Sequence, residues 1–128
     1  MVHNGPMKKL LLLIEDNPLL TGLYQTAFEK AGFEVLLAHD GETGLHLAQE
    51  KNPEGIVLDL LMPGIDGFEV LKQLKDHEST KHMKTVVLTS LIEGKDLERA
   101  KKLGALDCIV KSESTLAEIV ERAGTYFK

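Results

Sequence analysis

Apolar residues are arranged along the chain in two alternating textures. Short unbroken apolar runs predict strands at Lys9–Ile14, Phe33–Ala38, Ile56–Leu58 (ending at Asp59), Thr85–Thr89 and Cys108–Val110. Between them, apolar residues recur every three or four positions, the period of an amphipathic helix. Asn17 and Pro18 are a cap and first-position proline for the first helix. Leu20, Leu23, Ala27 and Ala31 mark its face, and Gly32 ends it. A second helix is predicted over Glu42–Glu50, broken by Asn52-Pro53. Asp66 caps a third, with Glu69 completing a capping box and Phe68, Leu71 and Leu74 lining its buried face. The fourth runs over Asp96–Leu103 and stops at Gly104. In the fifth, Thr115 and Glu118 form another box, and Leu116, Ile119, Val120, Ala123 and Phe127 form the stripe.

Strand then helix, five times over, with strands apolar on consecutive positions, is the pattern of a parallel sheet buried between two helix layers. Right-handed crossovers make it an α/β doubly wound fold. No repeat or linker divides the chain, so residues 8–128 are expected to form one domain. Residues 1–7, with turn-forming Asn4-Gly5-Pro6 and a second methionine at Met7, read as a disordered leader or expression remnant.

Composition narrows the function by exclusion. Fifteen Lys and Arg against 20 Asp and Glu leave a net charge of −5, without the basic patch of a nucleic-acid binder. The longest apolar run, Leu10–Ile14, is too short to cross a bilayer, and no secretory signal is visible. The single cysteine, Cys108, excludes an internal disulfide and fits a cytoplasmic setting; as a lone Cys in an apolar strand it reads as inert core. The five scattered His, His77 and His82 among them, lack zinc-ligand spacing.

In doubly wound sheets ligands bind beyond the carboxyl ends of the strands. The first strand there delivers Glu15 and Asp16, the third Asp59, the fourth Thr89 and Ser90, the fifth Lys111. Three carboxylates in one crevice repel one another, and a hard cation such as Mg²⁺ offsets that repulsion. A lysine suits a phosphoryl group, and a carboxylate can become an aspartyl phosphate. The set suits phosphoryl transfer.

These residues resemble the receiver domain of a two-component response regulator, over nearly the whole chain from about Lys8 to Lys128. The most specific string is LDLLMPGIDG, Leu58 to Gly67. Asn17-Pro18 after the acidic pair, Pro53 before strand three and Leu103-Gly104-Ala105 before strand five also match. The resemblance implies a flavodoxin-like sheet of order 2-1-3-4-5. It implies that Asp59 accepts a phosphoryl group from a sensor histidine kinase or phosphotransfer protein. Asp16, Asp59 and the backbone carbonyl of Leu61 would hold Mg²⁺ (or Mn²⁺), with Glu15 acting through water. Thr89 and Lys111 would contact the phosphoryl group. Thr89, small Ser90 and Cys108 stand at the switch positions. The domain would catalyse only its own phosphorylation and dephosphorylation, and so is not an enzyme on other substrates. A downstream protein or output domain would read its state, as a monomer or as a phosphorylation-dependent dimer, without contacting nucleic acid or membrane.

Two departures from the family pattern stand out. Cys108 occupies a position that is usually aromatic, and Ser112 one that is usually a proline following a cis bond. The Lys111–Ser112 peptide is therefore expected to be cis and held by site contacts, or trans with a shifted loop. Leu61 and Leu91 offer no polar group to an attacking water, which predicts slow loss of the phosphoryl group. A haloacid dehalogenase-like hydrolase would need a second Asp where Leu61 stands. A nucleotide-binding module would need glycines in the Glu15–Pro18 turn. A receiver-like docking domain that works without phosphorylation is the alternative reading.

Overall fold

The computed structural model describes residues 8–128, so the leader expected over residues 1–7 lies outside it. Strands and helices alternate as β1 Leu10–Ile14, α1 Pro18–Lys30, β2 Glu34–Ala38, α2 Gly41–Lys51, β3 Gly55–Leu58, α3 Gly67–Asp76, β4 Lys84–Thr89, α4 Gly94–Lys102, β5 Asp107–Val110 and α5 Leu116–Phe127. A short 3₁₀ turn, Lys111–Glu113, links β5 to α5. All five strands are parallel, in the order β2-β1-β3-β4-β5. The order and layering match the sequence expectation.

Alternation along the strands divides the core into two halves. Leu12, Ile14, Ile56, Leu58 and Val87 face α2, α3 and α4. Leu11, Leu13, Val57, Leu88 and Ile109 face α1 and α5. Carried two residues on, this alternation matters for the site. Glu15, Asp59 and Lys111 follow Leu13, Val57 and Ile109 onto the α1/α5 side, whereas Thr89 follows Val87 onto the other.

Three sequence expectations need correction. The buried face of α1 is Thr21, Tyr24 and Phe28, with Leu20 and Ala27 partly covered; Leu23 and Ala31 are exposed. The helix carries apolar residues on two sides, and the bulky aromatic pair takes the core. Leu116 is likewise exposed although it belongs to the α5 stripe by spacing, because it stands in the first turn, above the core. With Leu23 it borders a groove of about 820 Å³ between α1 and α5. At α3, Asp66 accepts from the Glu69 backbone N–H at 3.0 Å, but the box is only half made. The Glu69 carboxylate accepts instead from Gln73 Nε2, one turn on, at 2.9 Å. The Thr115–Glu118 box is complete.

Candidate functional site

Each strand hands its terminal residues to one rim of the sheet. The turn after β1 is held by side chains. Glu15 Oε2 accepts from the Asn17 N–H at 3.1 Å, and Asn17 Oδ1 caps α1 at the N–H groups of Leu19 and Leu20. The Thr21 hydroxyl reaches back to the backbone oxygens of Asn17 (2.8 Å) and Glu15 (3.3 Å). Glu15 is thereby buried, at 2% exposure, while Asp16 remains half-buried.

Asp59 leaves β3 at 5% exposure, with Oδ1 accepting from the Leu61 N–H at 3.1 Å. The Leu61 peptide therefore lies against the carboxylate. Gly67 makes that turn possible. A Cβ there would stand 2.5 Å from the Asp59 carbonyl oxygen and 2.5 Å from Leu60 Cα, contacts only a glycine avoids. This is the physical content of the Asp-Gly that closes the LDLLMPGIDG string.

Lys111 enters from the end of β5 and joins the two buried acids. Its Nζ lies 2.8 Å from Glu15 Oε1 and 3.3 Å from Asp59 Oδ2. Among the described residues no peptide bond is cis, so the Lys111–Ser112 bond is trans and the lysine is still in the site. Cis geometry is not what aims it.

Carboxylate oxygens of Glu15, Asp16 and Asp59 all lie within 4.8 Å of one another. Lys111 touches two of the three, Glu15 and Asp59. Burial, opposed by Lys111 and reinforced by Glu15, leaves the Asp59 carboxyl raised to about 6. Burial pulls the Lys111 ammonium down, but its hydrogen bond to Glu15 and the charges of Asp59 and Glu15 hold it above its ordinary value. By formal charge the cluster sets three carboxylates against one ammonium. An all-oxygen donor set of that charge suits a hard divalent cation.

The remaining predicted residues surround this cluster. Thr89 is fully buried, and its Oγ1 accepts from the Leu91 N–H at 3.1 Å. Ser90 is exposed beside it. Cys108 is buried; its Sγ lies 3.6 Å from the Leu97 carbonyl oxygen, and burial raises its thiol pKa. It packs β5 against α4 rather than reaching the acidic cluster. His77 and His82 are exposed.

Two features escape the sequence reading. Tyr24 lies on the wrong side of α1 for the predicted face, and only the spacing of its ring to Phe28 hints at the true one. Asp107 forms a second buried acid site. Arg122 donates to it twice, at 2.7 Å each, Tyr126 Oη lies at 3.1 Å, and the Cys108 N–H at 2.8 Å. No local spacing signals this group, because its members are brought together only by α5 folding back on β5.

Comparison with known proteins agrees with this arrangement. Residues 11–123 match the family model described as response regulator receiver domain. The polar-differentiation response regulator DivK of Brucella ovis is 29% identical over 120 residues, covering 94% of this chain and 97% of that protein. The phosphorylated cyanobacterial phytochrome response regulator RcpA superposes with a TM-score of 0.83 at 28% identity, covering 94% of each chain. The Mn(2+)-bound form of response regulator Rcp1 superposes with a TM-score of 0.81 at 27% identity, covering 92% of this chain and 93% of that one. With the family model spanning most of its length and the acidic rim in place, the chain belongs to the response regulator receiver domains of two-component signalling.

Proposed function

We propose that Asp59 is the phosphoacceptor of this receiver domain, and that a sensor histidine kinase or phosphotransfer protein supplies the group. The observation that carries the reading is the Asp59 carboxylate, gathered with Glu15 and Asp16 and touched by Lys111 Nζ at 3.3 Å. A carboxylate oxygen of Asp59 attacks phosphorus and the P–N bond of the donor's phosphohistidine breaks. The electron pair returns to the imidazole, so atoms and charge balance. Asp16, Asp59 and the Leu61 carbonyl would hold Mg²⁺ or Mn²⁺, with Glu15 acting through water. Such an ion supplies charge neutralisation for phosphoryl transfer. The similar response regulators Rcp1, solved in a Mn(2+)-bound form, and RcpA, solved phosphorylated, support this choice of ion and chemistry.

The chain's own residues do the rest. Lys111 neutralises a phosphoryl oxygen, exchanging its Asp59 contact for it. Thr89 releases the Leu91 N–H when its hydroxyl turns toward the phosphoryl group, which ties phosphorylation to the β4–α4 loop. Cys108 cannot act as a large rotating ring, so Leu91 and Leu97, which pack against the same half of the core, transmit the change. The two states differ in the surface offered to a downstream protein or output domain. The domain turns over no other substrate and works in the cytoplasm.

Intact mass after incubation with Mg²⁺ and acetyl phosphate tests this reading. One phosphoryl group on the parent and none on Asp59→Asn is the expected result. No gain on the parent, with Mg²⁺ binding intact, would overturn it in favour of a docking domain that works without phosphorylation.

A further inference from the structure

Among the described residues, four of the five α-helices begin at a side chain that accepts from their first turn: Asn17, Asp40, Asp66 and Thr115. Helix α4 does not. It begins at Glu93, which makes no such bond, and Gly94 follows. Ala100 is the one residue of α4 that is buried, where α3 and α5 each bury five. A helix with few buried groups and an uncapped first turn shifts at low cost. The loop before it, residues 90–93, leads straight from Thr89, whose Oγ1 holds the Leu91 N–H.

One contact ties α4 across to the other side of the site. The Arg99 guanidinium carbon lies over the Phe68 ring, 4.1 Å from its centroid. Among the described residues Arg99 has no carboxylate partner, so the aromatic face is what holds its charge. Phe68 is a fixed base, 6% exposed and part of the core. It follows Gly67, whose N–H donates to the Leu60 carbonyl at 3.0 Å and which packs against the Asp59 carbonyl. The stack therefore joins the turn that carries Asp59 to the helix that follows Thr89. Beside it lies a cleft of about 350 Å³, bounded by Ile65, Lys72, Leu103 and both stacked residues. Arg99 is exposed, so its guanidinium can leave the ring for the cleft or for solvent without unpacking the core.

We infer that the Arg99–Phe68 stack is an autoinhibitory contact. It holds α4 in its resting position and is given up when Asp59 is phosphorylated and Thr89 releases the β4–α4 loop. A contact made only in the resting state favours that state. By linkage it weakens the binding of anything that favours the other state.

This inference rests on the proposed phosphorylation of Asp59, and the test separates the two. Beryllofluoride with Mg²⁺, a stand-in for the phosphoryl group, is titrated into the parent, Arg99→Gln, Phe68→Leu and the double variant. Arg99→Gln is expected to bind beryllofluoride about two- to fivefold more tightly than the parent, the worth of an exposed cation–π contact. Loss of a positive charge acts in the opposite sense on an anion, so tighter binding does not come from charge alone. In the Phe68→Leu background the same substitution should change nothing. Beryllofluoride affinity in Arg99→Gln equal to or weaker than the parent's would overturn the autoinhibitory role and leave the phosphorylation reading intact. A gain that persists in full in the Phe68→Leu background would also overturn it, since the ring would then have no part. Should Phe68→Leu fail to fold, Arg99→Gln, a change at an exposed position, decides alone. A parent that binds no beryllofluoride and accepts no phosphoryl group would overturn both readings.

Discussion

Asp59 and Asp107 are both buried aspartates on the same sheet, at 5% and 6% exposure, and their surroundings treat them in opposite ways. Asp107, where β5 begins, is pushed up by burial, but the Arg122 fork more than offsets this and holds it below its ordinary value. Backbone and phenol donors complete its shell. Asp59, where β3 ends, receives one backbone N–H and a share of one lysine. It is left at about 6. Burial costs both acids, and the difference lies in how many donors each is given. A satisfied acid is a structural fastening. A buried acid short of positive charge is a place for something cationic to bind.

The largest effect that tests this contrast is chemical. Asp59→Asn is expected to abolish phosphorylation completely, whereas Asp107→Asn keeps it, as read by intact mass with acetyl phosphate. Equal loss in both would erase the distinction.

Stability should divide the two acids in the other direction. Asp107→Ala leaves Arg122 and Tyr126 without their acceptor. Because Arg122 is half-exposed, water takes up part of its charge, and a loss of about 2 kcal/mol is expected in urea unfolding. Asp59→Asn, without divalent cations, should instead stabilise the fold. The sign follows from linkage. An acid held above its unfolded value favours the folded state fully below about pH 3.9, and that advantage is lost as pH rises through the folded value. For Asp59 the loss is complete above about 6. Asparagine escapes it, so the variant should gain roughly 1–2 kcal/mol above pH 7 and little near pH 4. A gain that does not depend on pH would contradict the assignment. For Asp107 the sign is reversed. Its stabilisation holds at neutral pH and disappears as pH falls through its lowered value.

The smallest effect sharpens the description of Asp107. Tyr126→Phe removes one hydrogen bond of several and should cost about 0.5–1 kcal/mol, with no change in phosphorylation. Phosphoryl lifetime gives an independent check on the other site. With Leu61 and Leu91 at its edge, the group should persist for minutes or longer, and a half-life of seconds would count against that reading.

Sequence made one of these two sites legible and not the other, for a physical reason. Glu15-Asp16, Asp59, Thr89 and Lys111 each stand at the carboxyl end of an apolar run. A parallel sheet brings all such positions to one rim, so topology alone assembles the site. Asp107 opens its strand instead of ending it, and its partners lie 15 and 19 residues away on a helix whose rotation only packing decides. Tyr24 is hidden in the same way. With leucines on the outer face of α1 as well as aromatics on the inner, apolar spacing alone favours neither side. The trans Lys111–Ser112 bond was equally unreadable from sequence, since only the observed reach of Lys111 shows which geometry the loop accepts.

The central claim is that the Asp59 cluster is short of positive charge and takes a divalent cation. Thermal unfolding of the parent and of Asp59→Asn above pH 7, with and without Mg²⁺, tests it most directly. The account predicts that Asp59→Asn melts higher than the parent without Mg²⁺, and that Mg²⁺ raises the parent's Tm far more than the variant's, closing or reversing the gap. A parent whose Tm ignores Mg²⁺, or a variant that gains as much from it as the parent does, would contradict the account.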